Sequence, residues 1–373
     1  MDLYFDHNAT TPLNDAAKQS YVDALGLYGN PSSVHSFGRD SRMAIDGARR
    51  KVAQTFGVRA EQVVFTGGGS EANNLVLKGF TGKHYGVSPT EHASVRVTAK
   101  NLAEQNTKQV TWLKVDKSGV VDLSHLEAVL KDGHIDLVSV MAAHNETGVI
   151  QPFAEIGTLC QQYNTRYHVD AIQAAGKLPL QFTDTGADFM TLSAHKFGGP
   201  KGVGILLIKG KPTMHSLIDG GGHERNRRAG TENTPAIAAT GAALTELPNR
   251  LACQERLRGY QNQIEQAAMG ISQQFEVVGK DAKRLANTSC VLFHGIDTEA
   301  LILSLDMEGV ALSSGSACSS GRIAASAALL AQGYDDEQAK AAVRISTGPE
   351  TTDEAVTLFA QKLQTICHRL LAT

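Results

Sequence analysis

The residue in this chain best placed for covalent chemistry is a lysine that an apolar strand carries into a glycine-rich turn. The stretch Asp188-Phe189-Met190-Thr191-Leu192-Ser193-Ala194-His195-Lys196-Phe197-Gly198-Gly199-Pro200 reads as a strand that stops at Lys196. Val203 to Ile208 reads as the strand that re-emerges from the turn. An amine held in this way is what a Schiff base with a carbonyl compound requires. Alone, the same pattern equally describes a surface lysine beside a solvated turn.

Three further patterns bear on that choice. Val63-Val64-Phe65-Thr66 followed by Gly67-Gly68-Gly69-Ser70 and a helical pattern to Lys78 makes a strand, loop and helix unit. Its helix start offers free backbone N–H groups, the positive end of a dipole and the Ser70 hydroxyl, a set suited to a phosphate. It lacks the Gly-Lys-Ser/Thr ending of a Walker loop. Tyr167-His168-Val169-Asp170-Ala171-Ile172-Gln173 is a strand that ends at a carboxylate, and a buried carboxylate facing a pyridine nitrogen keeps that nitrogen protonated. Cys318, between Ser/Gly-rich neighbours, lies in a polar, accessible loop from which a thiolate can reach a ligand. The other four cysteines (Cys160, Cys253, Cys290, Cys367) fall in helical or strand-like patterns and read as packed thiols.

Two more residues are placed to act on a ligand. His92, in Pro89-Thr90-Glu91-His92-Ala93-Ser94, stands where a strand gives way to a helix and could move protons or stack on an aromatic ring. Arg344, inside the short strand pattern Val343-Arg344-Ile345-Ser346, needs an anionic partner, and its planar fork suits a carboxylate.

The elements that must position these groups follow from the hydrophobic periodicity. Near-continuous apolar runs such as Ile135 to Met141, which leads to His144-Asn145-Glu146-Thr147-Gly148, are those of buried parallel strands, and ligands bind beyond the C-terminal ends of such strands. Helical spacing is expected from about Asn14, over Arg39 to Phe56, and from Thr234 to about Phe275, the last as a crossing into a smaller C-terminal domain. The loop Gly220 to Asn233, glycine-rich at its ends and basic in the middle, is expected to be solvated, to bind phosphate or to form a subunit contact.

The 373 residues, 42% hydrophobic and 20% charged, suit a globular chain of more than one domain. A balance of 35 Lys+Arg against 38 Asp+Glu provides no field to recruit nucleic acid or an anionic membrane. No CxxC pair suggests a zinc site, so no metal is expected, and the five cysteines are expected to be reduced. The opening Met1-Asp2-Leu3-Tyr4-Phe5-Asp6 has no basic start or apolar core of a leader, and no run is long enough to span a bilayer. A cytoplasmic protein is expected.

Taken together, the lysine, aspartate, phosphate turn, histidine and arginine are the inventory of a pyridoxal-phosphate enzyme acting on an amino acid. The sequence closely resembles the cysteine desulfurases of the class V aminotransferase group, of the nitrogen-fixation and iron–sulfur-cluster type. The resemblance is carried by Asp6-His7-Asn8-Ala9-Thr10-Thr11-Pro12, Gly29-Asn30-Pro31-Ser32-Ser33, Gly69-Ser70-Glu71-Ala72-Asn73-Asn74, Asn145-Glu146-Thr147-Gly148, Ser193-Ala194-His195-Lys196, Arg228-Ala229-Gly230-Thr231 and Ser313 to Cys318.

The resemblance implies an α/β chain of the pyridoxal-phosphate fold type I: a large domain (15–255) with a mostly parallel seven-stranded sheet, and a small α/β domain (1–14 and 256–373) carrying the Cys318 loop. It implies Lys196 as the Schiff-base lysine, Asp170 on the pyridine nitrogen, Gln173 on the ring hydroxyl, and His92 stacked on the ring and moving protons. Gly69, Ser70, Ser193 and His195 match phosphate-binding positions, and Thr231 one that reaches the phosphate of the other subunit, so a homodimer is implied. Asn145 and Arg344 would hold the carboxylate of L-cysteine, and Cys318 would accept its sulfur as a persulfide while alanine leaves. The sulfur would then pass to a thiol acceptor or a cluster scaffold protein. Two departures stand out: Ser319 to Ser326 replaces a Leu-Glu-Pro-Ser type segment, and His144 stands where an Asn is usual. A selenocysteine lyase of the same fold and a non-catalytic sulfur-assembly partner are the rival readings. The presence of both Lys196 and Asp170 argues against the second.

Overall fold

A computed structural model describes residues 3–315 and 324–372; Cys318 and residues 319–323 beside it lie outside the described residues. In chain order the strands are β1 (Leu3–Tyr4), β2 (Val63–Thr66), β3 (His84–Val87), β4 (Gln109–Trp112), β5 (Leu137–Ser139), β6 (Arg166–Asp170), β7 (Phe189–Ser193), β8 (Gly204–Ile208), β9 (Glu276–Val277), β10 (Thr288–Leu292), β11 (Val310–Ala311), β12 (Ser313–Ser314) and β13 (Ala342–Ser346).

Seven of them form one sheet in the order β2-β8-β7-β6-β5-β3-β4. All its pairings are parallel except those of β8, which runs against both β2 and β7. The expected mostly parallel sheet of seven strands is therefore present. Strands β2, β5, β7 and β8 are buried along their whole length, which is why they read as unbroken apolar runs rather than alternating ones. From β3 the chain steps outward to β4, then returns to β5 and continues through β6 to β7. That reversal opens a crevice beyond the C-terminal strand ends.

Helices cover both faces of this sheet. The helix Asp15–Ala24 is capped by Asn14, whose side chain accepts from the Ala17 N–H, and Ser36–Phe56 ends at Gly57 in the left-handed conformation with φ of 69°. The expected start at Arg39 is three residues late, because His35 caps the helix through its ring. The long helical spacing from Thr234 resolves into Thr234–Ala243, Leu247–Ala252 and Gln254–Ile271 instead of one helix. Pro248 explains the interruption, since it has no N–H and sits only in a first turn.

A second sheet, β12-β13-β10-β9, is antiparallel, and β1 pairs with β11 in parallel, Leu3 opposite Val310. On β10 and β13, Val291, Val343 and Ile345 face a core that includes Leu3, Phe5, Tyr260, Phe293 and Phe359. Cys290, Leu292 and Ala342 face a smaller one with Leu329. The N-terminal strand thus belongs to the C-terminal core. Among the described residues no helix is long and apolar enough to cross a membrane.

Candidate active site

The C-terminal ends of β2, β3, β5, β6 and β7 deliver their following residues to one cavity of about 560 Å³, closed on its far side by Gly315, Ala324, Ala325 and Arg344. Gly69, Ser70, His92, Asn145, Asp170, Gln173, Ser193, His195, Lys196 and Arg344 all line it. Thr231 does not; it is exposed on the loop after Arg228, outside this cavity. Cys318 lies outside the described residues.

Lys196 sits one short turn beyond where the sequence placed it: β7 ends at Ser193, and a 3₁₀ turn, Ala194–Lys196, carries the amine inward. Gly198, at φ of 91°, then reverses the chain toward β8. The Lys196 Nζ donates to the carbonyls of Asn8 (2.5 Å) and Ala9 (2.8 Å). Burial lowers its pKa from 10.5 to about 8, the Arg344 charge adds to the shift, and Asp6 and Asp170 oppose it.

Asp170 is 4% exposed. Its Oδ2 accepts from Asn73 Nδ2 at 2.7 Å and its Oδ1 from the Ile172 N–H at 3.0 Å. Burial raises its pKa despite both donors and the nearby charges of His92 and Lys196, so these together do not offset its desolvation. Asn73 also donates to Ser94 Oγ (2.9 Å), which in turn bonds His92 Nδ1 at 2.8 Å. Because His92 Nδ1 accepts from the Ser94 N–H (3.1 Å), the proton of the neutral ring sits on Nε2. Its pKa is lowered, chiefly by desolvation, with Lys196 and Arg96 contributing and Asp170 opposing.

The phosphate cradle is built by close packing. Gly68, at φ of 157°, caps the helix Gly69–Gly79, whose first N–H groups have no partner within the helix. This loop rests directly on β8: a Cβ on Gly204 would lie 2.3 Å from the carbonyl carbon and oxygen of Gly68. His195 is tied to the N-terminal turn through Thr10 Oγ1 at 3.2 Å. Arg344 donates to Asp6 Oδ1 (2.8 Å) and to the Asn145 carbonyl (3.3 Å), while its buried Nε has no partner.

Asn8 joins all of these. Its carbonyl accepts from Lys196 and from Gln173 Nε2 (3.0 Å), its Oδ1 from Lys177 Nζ (2.6 Å), and its Nδ2 donates to Thr288 Oγ1 and the Asn145 carbonyl. The sequence reading passed over Asn8, Asn73 and Lys177. Only the position of Asn8 in a Pro-terminated polar loop hinted at it. His144, the unusual residue, is a satisfied buried imidazole: its Nδ1 accepts from the Thr147 N–H at 3.1 Å and holds the turn that presents Asn145. Burial, with the nearby His92 and Arg344 charges, lowers its pKa to about 4, so it stays neutral.

In the loop Gly220 to Asn233, Glu224, Arg225 and Asn226 all have positive φ, and the turn buries Glu224. Its carboxylate takes two bonds from Arg49 (2.8 and 2.7 Å) and one from the Phe65 N–H. Arg228 pairs with Glu71 at 2.8 Å, so part of the basic charge expected to meet solvent or phosphate is spent within the chain.

These groups fit pyridoxal phosphate. A buried carboxylate whose desolvation its donors do not offset suits a protonated ring nitrogen, a lysine of lowered pKa suits a carbonyl, and a glycine cradle at a helix N-terminus suits a phosphate.

The chain matches the aminotransferase class-V family over residues 3–359. It is 37% identical to the cysteine desulfurase IscS of Dictyoglomus turgidum over 380 residues, covering 99% of this chain and 95% of that protein. It is 38% identical to cysteine desulfurase 2 of Trichormus variabilis over 376 residues, covering 99% and 94%. Among solved structures, a NifS-like protein superposes with a TM-score of 0.91 at 33% identity, covering 99% of this chain and all of that one. SspA in complex with cysteine superposes with a TM-score of 0.82 at 28% identity, covering 94% and 100%.

Proposed function

The chain belongs to the aminotransferase class-V family, and from that premise we infer that it is a pyridoxal-phosphate-dependent cysteine desulfurase, converting L-cysteine to L-alanine. The observation that carries this is the meeting of Lys196, Asp170, Arg344 and the Gly69–Ser70 cradle in one cavity.

When bound, the cofactor serves as the electron sink that lets the substrate's α-carbon release a proton and its carbon–sulfur bond weaken. Asp170 would hold the ring nitrogen protonated, Gln173 would serve the ring hydroxyl, and His92, with its proton on Nε2, would stack on the ring and move protons. Gly69, Ser70, Ser193 and His195 would hold the phosphate. Thr231, exposed outside its own cavity, would reach the phosphate of the other subunit in a homodimer. Arg344 and Asn145 receive the substrate carboxylate, Arg344 with an Nε still free to donate. Lys196, with its pKa near neutrality, takes and returns the proton at the substrate α-carbon.

The Cys318 thiolate attacks the substrate sulfur: a sulfur–sulfur bond forms, the carbon–sulfur bond breaks, and the carbon left behind gains a proton to become alanine. The persulfide passes to a thiol acceptor, supplying sulfur for iron–sulfur clusters or other thio-cofactors. Residues 15–255 form the cofactor-binding domain, and 1–14 with 256–373 a smaller one, a division supported by the separate core that takes in Leu3 and Phe5.

The test is alanine formation from L-cysteine, with a thiol reductant present, by wild type and Cys318→Ala. The wild type makes alanine and the variant does not; equal alanine from both overturns the assignment of Cys318. Selenocysteine run in parallel reports the preferred chalcogen.

A further inference from the structure

Behind Gln173 lies an amine that the reaction above does not use. Lys177 is 4% exposed and follows Gly176, which has φ of 75°. Its Nζ donates to Gln173 Oε1 at 2.5 Å and to Asn8 Oδ1 at 2.6 Å. An uncharged amine has two N–H groups, and these two acceptors use both. Burial lowers its pKa well below 10.5, and the charges of Lys196, Arg250 and Arg344 push the same way.

The Asn8 carbonyl can only accept, so the side of Gln173 that faces it is the N–H, and the side left toward the Lys177 amine is the carbonyl oxygen. One N–H of the Gln173 amide then goes to the Asn8 carbonyl at 3.0 Å. What Gln173 has left for the cavity it lines is its second N–H. The same logic turns the Asn8 amide so that its Nδ2 faces the Asn145 carbonyl.

On the premise that this cavity holds pyridoxal phosphate, we propose that Lys177 is a positioning residue: it fixes the Gln173 amide so that only an N–H faces the cofactor's ring hydroxyl, favouring the hydroxyl's ionised form. Without Lys177 the amide oxygen loses its donor, and only the bond to the Asn8 carbonyl opposes a turn that presents the oxygen, which favours the protonated form and repels the ionised one.

The experiment compares wild type, Lys177→Met and Lys177→Gln, each loaded with pyridoxal phosphate. Cofactor dissociation is measured by equilibrium dialysis, and the ratio of visible to near-ultraviolet absorption is followed across neutral pH. Lys177→Met holds the cofactor roughly tenfold more weakly, the effect of losing one hydrogen bond to a charged group, and shifts absorption toward the near-ultraviolet. Lys177→Gln, which keeps uncharged donors, stays within about threefold of wild type and keeps its absorption ratio. A Lys177→Met protein with wild-type absorption and affinity overturns the proposal. So does a Lys177→Gln protein as altered as Lys177→Met, because charge or bulk would then matter instead of the donor. Should Lys177→Met fail to fold, Lys177→Gln decides alone: wild-type absorption supports the role and a shifted ratio overturns it. A wild type that takes up no cofactor overturns the reading of the cavity itself and this role with it. Loss confined to the variants bears on Lys177 alone.

Discussion

Replacing Lys196 with methionine in the cofactor-free protein should change stability in a pH-dependent way. The lysine pKa is about 8 in the folded chain against an ordinary 10.5. Between those values the unfolded chain binds the proton that the folded chain has lost, so the lysine makes the protein more stable as pH rises through that window. Below pH 8 the buried ammonium costs its full amount. At about 1.4 kcal/mol per pH unit this is about 3 kcal/mol, and it disappears above 10.5. Lys196→Met removes that term, together with a pH-independent loss of the bonds to the Asn8 and Ala9 carbonyls. The informative quantity is therefore how the difference between wild type and variant changes with pH, since groups common to both largely cancel. Urea unfolding of both proteins at neutral pH and near pH 10 should show the wild type gaining about 2–3 kcal/mol on the variant. A difference that stays constant within about 0.5 kcal/mol refutes the claim that burial lowers this amine's pKa.

Four other perturbations follow from the same packing. Asp170→Asn removes the charge facing the cofactor's ring nitrogen; a hydrogen bond to a charged group is worth about 1.5–3 kcal/mol, so cofactor affinity should fall roughly 10- to 100-fold, read by colour retained on gel filtration. Gly204→Ala forces a Cβ into the Gly68 backbone and should cost about 1–3 kcal/mol with weaker cofactor retention. Gly259→Ala, in open space on the helix Gln254–Ile271, should instead be neutral or stabilising by up to about 1 kcal/mol in the same urea unfolding assay. Glu224→Gln leaves Arg49 buried and uncompensated and should lower the urea midpoint by the equivalent of about 3–5 kcal/mol; a loss below about 1 kcal/mol would mean the pair behaves as a surface one.

The strand-borne part of the site was legible because period and burial speak plainly there. Unbroken apolar runs marked β5, β7 and β8, and polar residues just past such runs marked Asn145, Asp170 and Lys196. Arg344 stood out as a charge inside a strand, and β13 does hold it. What stayed hidden depends on contacts between segments far apart in sequence. Asn73 looked like any polar residue on a helix, yet it holds the Asp170 carboxylate from 97 positions away. Lys177 looked like a turn lysine, and only its two buried acceptors distinguish it. The carboxyl of Glu91 was likewise unreadable: it accepts from the Met141 N–H and has its second oxygen unpartnered, while burial and nearby Asp170 push its pKa up. Helix ends shifted by a few residues where a side chain such as His35, unremarkable in composition, supplied the cap.

The parallel pairing of Leu3–Tyr4 with Val310–Ala311 also sets the order in which a growing chain is completed. The ribosome makes Leu3 about three hundred residues before its partner, on the order of tens of seconds at 5–20 residues per second. During that interval Lys196 and Asp170 emerge, but Ser346, whose carbonyl and hydroxyl receive the His7 and Asn8 N–H groups, does not yet exist. The carbonyls of Asn8 and Ala9 that receive the Lys196 amine are therefore fixed last. A product that stops short of Ser346 has the lysine without the strand that fixes its two acceptors.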